Sequence, residues 1–219
     1  MSDTYDLDQP FPVRFIDGEA AGYSIRRLCL PTVAAGSALC AAVTGVGAAV
    51  ARNPGDLLHL LRVDIVLLAA VAALALDDPA TPLTGATSVP RRRQRLWATA
   101  IIGTVTLAAF AAIVVVSGGV IGTLDQLPVV LLTTQLLALM AIGWLIAAAL
   151  ADVTGNDAPG RHAAALLVLV SIASATTPWV SDRLWYQSGT SWRETSLAWC
   201  VIAGIAPFCV AWASPDRRR

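Results

Sequence analysis

ALDDPATPLTGATSVPRRRQRL, residues 75–96, is the longest polar interruption between two strongly apolar runs in this chain. Two adjacent carboxylates, Asp77 and Asp78, open it, and Pro79, Pro82 and Pro90 stiffen it. Arg91, Arg92, Arg93 and Arg95 close it just before apolar sequence resumes. Pro79 has no N–H to donate and stops the helix before it. The reading that follows is a polar loop between two membrane-spanning helices, placed where a soluble partner can dock.

The composition around this loop agrees. Of 219 residues, 56% are hydrophobic and only 14% charged, and the mean hydropathy is +0.66. A soluble domain needs a larger charged share on its surface. Apolar runs of about 18 residues or more indicate helices that cross a bilayer. Net charge is zero, so nothing attracts nucleic acid globally. All 15 basic residues are arginine. With no lysine, the chain lacks the phosphate-binding lysine of a P-loop and any lysine Schiff base. Cys29, Cys40, Cys200 and Cys209 lie in or beside apolar runs without a CxxC spacing, and read as small buried residues. The polar, acidic start carries no basic region ahead of a short apolar run, so no cleaved signal peptide is expected.

Taken in order, the sequence gives an all-α integral membrane protein with six transmembrane helices. Residues 1–27 form a tail and interfacial segment, 28–213 the membrane domain, and 214–219 a second tail. The spans fall at about 30–50, 54–76, 96–116, 128–150, 162–178 and 192–213 by apolar length. In the first, Gly36, Cys40, Thr44 and Ala48 recur every four residues and make a face of small side chains, the surface on which membrane helices approach closely. Pro54 and Asp56 suit the start of the second, whose first half carries His59, Arg62 and Asp64. Ser117-Gly118-Gly119 reads as the start of a short return, and the fourth span contains Thr133, Thr134 and Gln135. Trp179, Trp185, Tyr186 and Trp192 form a dense aromatic segment before the last span, as at a membrane interface.

Six spans place alternate loops on one side. One side then collects eleven arginines and the other four. Positive charge stays on the cytoplasmic side, so both termini and the Asp77–Arg95 loop are expected inside, with Trp179–Thr195 outside.

Catalytic chemistry is sparse. His59 and His162 fall on opposite sides of the membrane and cannot share a metal. Asp77 and Asp78 could hold a cation, but carboxylates at the end of a membrane helix are more often solvated. Ser117-Gly-Gly has no G-x-S-x-G context. No catalytic residue, metal or cofactor is therefore assigned. His59, Arg62, Asp64 and Gln135 are the candidate intramembrane polar residues, because charge at that depth is costly unless paired or facing water.

The second span with its exit, LLRVDIVLLAAVAALALDDPATPLTGATSVPRRRQRL (60–96), and the terminal SPDRRR resemble actinobacterial permease subunits of type-2 ATP-binding-cassette exporters. The likeness covers about forty residues closely and the six-span plan loosely. It implies a plasma-membrane permease that pairs with a second permease copy or paralogue and with separate ATP-binding-cassette ATPase subunits, and that moves a hydrophobic or amphipathic substrate. The ATPase-coupling loop would be Asp77, Asp78, Arg91, Arg92, Arg93 and Arg95, and the Trp179–Thr195 segment would be extracytoplasmic. The acidic N-terminal tail departs from the pattern, since only Tyr23–Leu30 could serve as an interfacial helix. The competing expectation is a non-transporting accessory or scaffold subunit bound to other membrane subunits and to lipid.

Overall fold

The architecture is that of a computed structural model, which describes residues 30–50, 54–77, 91–122, 127–154, 159–177 and the isolated positions 180, 185, 197, 199–202 and 204. Five helices form the described bundle: α1 Leu30–Val50, α2 Pro54–Leu74, α3 Arg91–Ile121, α4 Val129–Thr154 and α5 Pro159–Thr176. The described positions from 197 to 204 are also helical. The remainder of the expected sixth span, and both tails, lie outside the described residues.

Four of these helices, α1 to α4, are long and apolar enough to cross a membrane. Helix α5 has 18 residues and reaches about 27 Å, slightly short of a hydrocarbon core of about 30 Å. The outer surface is apolar: Val46, Val50, Val130, Leu169, Val170 and Ile172 all point outward. A continuous surface of this kind suits lipid and would aggregate in water. Among the described residues the secondary structure is all-α, and four of its helices suit a membrane protein.

Helix α2 is the hub. It packs against α1, α3, α4 and α5, whereas α3 and α4 barely touch each other. Its first two-thirds bury Leu57, Leu61, Ile65 and Leu68, and its last turns bury Ala69, Ala72 and Ala73. Lipid is as apolar as leucine, so helices in a bilayer gain little from burial itself and associate through close packing. The alanine end of α2 supplies that closeness. A Cβ added at Gly143 of α4 would lie 3.2 Å from Ala73 Cβ, and one added at Gly160 of α5 would collide with the Ala73 carbonyl oxygen.

The small face expected on α1 packs on α2. Cys40, Thr44 and Ala48 are buried, and a Cβ at Gly36 would stand 2.5 Å from Val71 Cγ2. A Cβ at Gly47 would stand 2.5 Å from Leu60 Cδ1, so this glycine also sets the approach. The two contacts run in opposite directions along the helices, so α1 and α2 are antiparallel.

Several boundaries differ from expectation. Helix α3 begins at Arg91 and not at Leu96, so the arginine run forms its first turns. Its 31 residues extend about 46 Å, well beyond the hydrocarbon core, which leaves length for a polar end. Ser117-Gly118-Gly119 is helical and not a return. The Ser117 hydroxyl donates to the Ile113 carbonyl oxygen at 2.5 Å, so the side chain is satisfied inside the helix. The chain leaves α3 at Gly122, whose φ of 71° is the left-handed conformation that ends helices and suits glycine. Helix α4 likewise continues through Asp152 to Thr154, shortening the loop before α5.

Candidate functional site

The last turn of α2 tightens: the N–H groups of Leu76 and Asp77 donate to the carbonyl oxygens of Ala73 and Leu74, both at 3.1 Å. Three-residue closures of this type satisfy orphan carbonyls at a helix end. They also turn Asp77 toward α5. One Asp77 carboxylate oxygen accepts the Gly160 N–H at 2.5 Å and the other accepts the Arg161 N–H at 2.8 Å. These are second- and third-position donors of α5, which has no acid in its own first turn. Asp77 therefore caps α5 from a different helix, and its charge faces the positive end of the α5 dipole. The Arg161 guanidinium stands 3.8 Å from the same carboxylate, but it is largely in solvent and adds little.

A second polar group lies inside the bundle. Asp64 sits at the midpoint of α2 and is fully buried. The Thr44 hydroxyl of α1 donates to Asp64 Oδ2, while Asp64 Oδ1 has no hydrogen-bond partner among the described residues. Thr106 at the midpoint of α3 and Gln135 in the first half of α4 are fully buried as well. The two threonines before Gln135 bond within α4: Thr133 and Thr134 donate to the Val129 and Val130 carbonyls at 2.8 and 2.7 Å. Arg62 is buried too, but lies two residues from Asp64 and so on a different face of α2. His59 is exposed.

Beside Thr44, between α1 and α3, a cleft of about 410 Å³ opens on the outer side of the bundle. Ala38, Ala41, Gly45 and Ala49 from α1 face Ala109, Ala112, Ile113 and Val116 from α3. Ser37, Thr44 and Ser117 supply its hydroxyl groups.

No family model, curated protein or solved structure matches the chain. Its chemistry is therefore read from its own geometry.

Of the residues singled out from the sequence, Asp77, Arg62, Asp64 and Gln135 enter the interior or its edge. Asp78 and the side chains of Arg91, Arg92, Arg93 and Arg95 lie outside the described residues, as do Trp179, Tyr186 and Trp192. Trp185 is buried, its Nε1 donates to Ser174 Oγ at 2.9 Å, and its ring meets Trp199 edge-on with centroids 6.1 Å apart. Ser174 thus gives the indole N–H a partner inside the protein. Cys40 is buried as expected, whereas Cys200 is exposed. Thr44, Ser37 and Thr106 were not singled out for chemistry. The signal for Thr44 was present: it is the one hydroxyl in the small-residue stripe, and Asp64 is the one acid deep in the next helix.

Proposed function

We propose that this chain is the permease subunit of an ATP-binding-cassette export complex in the plasma membrane, itself non-catalytic and driven by a separate ATPase chain. In this reading it has six spans, both termini and the Asp77–Arg95 loop are cytoplasmic, and a second permease copy or paralogue completes the pathway. The substrate is hydrophobic or amphipathic.

The observation that carries the reading is the Asp77 cap on α5. A partner pressing on the segment between Asp77 and Arg91 moves Asp77, and Asp77 is fastened both to the hub α2 and to the first turn of α5. Force at one loop thus reaches two helices together, and through α2 the other three. Coupling requires an element shared by the driven and the responding parts, and α2 provides it.

A non-transporting accessory subunit is the second reading. The open side of α1, where a Cβ at Gly45 would meet nothing within 4 Å, favours it by leaving room for a neighbouring helix. Purification of the native complex separates the two. The permease reading expects a stoichiometric P-loop ATPase, released when Arg91, Arg92, Arg93 and Arg95 are changed to alanine. A complex with no ATPase, and unchanged partners in that variant, refutes it.

A further inference from the structure

We infer that Asp64 is a proton-binding site, a carboxyl group that stands as the neutral acid at neutral pH in the middle of the bundle. The inference is independent of the export reading and is measured on the chain alone.

Position comes first. Asp64 lies midway along α2, a helix long and apolar enough to cross a membrane, and none of its surface reaches the outside of the bundle. A carboxylate there has lost its water, and only a cation or a full set of donors offsets that loss. An ionised carboxyl group offers two oxygens with about four lone-pair sites. The described residues supply one donor, the Thr44 hydroxyl to Oδ2, and none to Oδ1.

No opposite charge makes up the difference. On α2 itself, Asp56 and His59 are exposed near the helix start, and Arg62 faces another side and forms no ion pair with Asp64. Helix α1 presents Cys40, buried one turn before Thr44, and a thiol is uncharged at neutral pH. Helix α3 has no ionisable side chain after Arg95, and α4 has only Asp152, in its last turn. Helix α5 has Arg161 and His162 in its first turn, at the Asp77 end of α2, about 20 Å along α2 from Asp64. Taking up a proton removes the charge and leaves one unmet O–H, a far smaller cost than an unmet charge. The neutral form is therefore the stable one in this packing.

The test is the infrared spectrum of the full chain in dodecylmaltoside, a detergent without ester carbonyls. At neutral pH the wild type should show the carbonyl stretch of a protonated carboxyl group. Asp64→Asn, which keeps the size of the side chain and an acceptor for Thr44, should lose that band. A wild-type spectrum without the band overturns the inference, as does a band that Asp64→Asn leaves unchanged. Should Asp64→Asn fail to fold, wild type treated at neutral pH with dicyclohexylcarbodiimide, an apolar reagent, decides. The reagent takes the carboxyl proton on nitrogen while the carboxyl oxygen adds to its central carbon, and rearrangement to an N-acylurea keeps its full mass on the residue. Peptide mass mapping that finds the adduct on Asp64 supports the site. An adduct confined to exposed acids such as Asp56, or no adduct, overturns it. A failure here leaves the ATPase test of the export reading standing.

Discussion

Asp77, at the exit of α2, caps α5 through the backbone N–H of Gly160 at 2.5 Å, although 83 residues separate the two in sequence. A cap normally belongs to the residue just before its helix; here the neighbouring helix supplies it. Asp77→Ala should remove two acceptors at once and cost about 1 kcal/mol, within the range of about 0.5–2 kcal/mol for lost caps. Asp77→Asn should cost less, because an amide oxygen still accepts. Arg161→Ala should change stability by less than about 0.5 kcal/mol, since its guanidinium is mostly in solvent. Thermal unfolding in detergent orders the three variants.

The glycines make a sharper contrast. Gly36→Ala and Gly160→Ala place a Cβ against Val71 and against the Ala73 carbonyl, and overpacking of that type costs about 1–3 kcal/mol. Gly160→Ala should be the worse of the two, because a backbone oxygen cannot rotate aside as a valine methyl can. Gly45→Ala meets nothing within 4 Å and should be neutral or stabilising by up to about 1 kcal/mol. The melting temperatures of the three proteins give the comparison. Equal losses at Gly36 and Gly45 would contradict the packing of α1 on α2.

The Thr44–Asp64 pair invites a double-mutant cycle. Thr44→Val strips the carboxylate of its donor and should destabilise by about 1–3 kcal/mol, the cost of a buried polar group left unmet. Thr44→Val with Asp64→Leu removes both partners and should recover most of the loss, because apolar replacement of a whole buried pair is often neutral. Additive losses in the double variant would mean that the two side chains do not interact.

The cap also constrains topology. It requires the end of α2 at Asp77 and the start of α5 at Gly160 to share a side, opposite to the end of α3 at Gly122. In a background without the native cysteines, Gly85→Cys and Asn156→Cys should react with an impermeant thiol reagent from one side, and Thr123→Cys from the other. In the proposed orientation the first pair faces the cytoplasm. Labelling of residues 85 and 156 from opposite sides would contradict the fold.

The elements legible in the sequence were those set by local chemistry. Apolar length gave the positions of α1 to α4, and the four-residue spacing from Gly36 to Ala48 gave the face that packs on α2. Pro54 and Asp56 marked the start of α2 because a helix start is written in its own first turn. The misplaced boundaries have one cause. Arg91 to Arg95 and Ser117-Gly-Gly119 look like loop sequence when judged by polarity or turn propensity, yet α3 is longer than the bilayer core and bonds Ser117 internally. The long-range pairs were hidden for another reason. Asp77 with Gly160 and Trp185 with Ser174 each join residues from separate elements, and no local pattern announces such a partner.

The decisive measurement is ATP hydrolysis by the native complex purified through this chain. A permease fastened to its driver through the segment after Asp77 predicts a stoichiometric ATPase that purifies with the chain, and Asp77→Ala should leave its hydrolysis in place. A purified complex without ATPase activity would contradict the central claim.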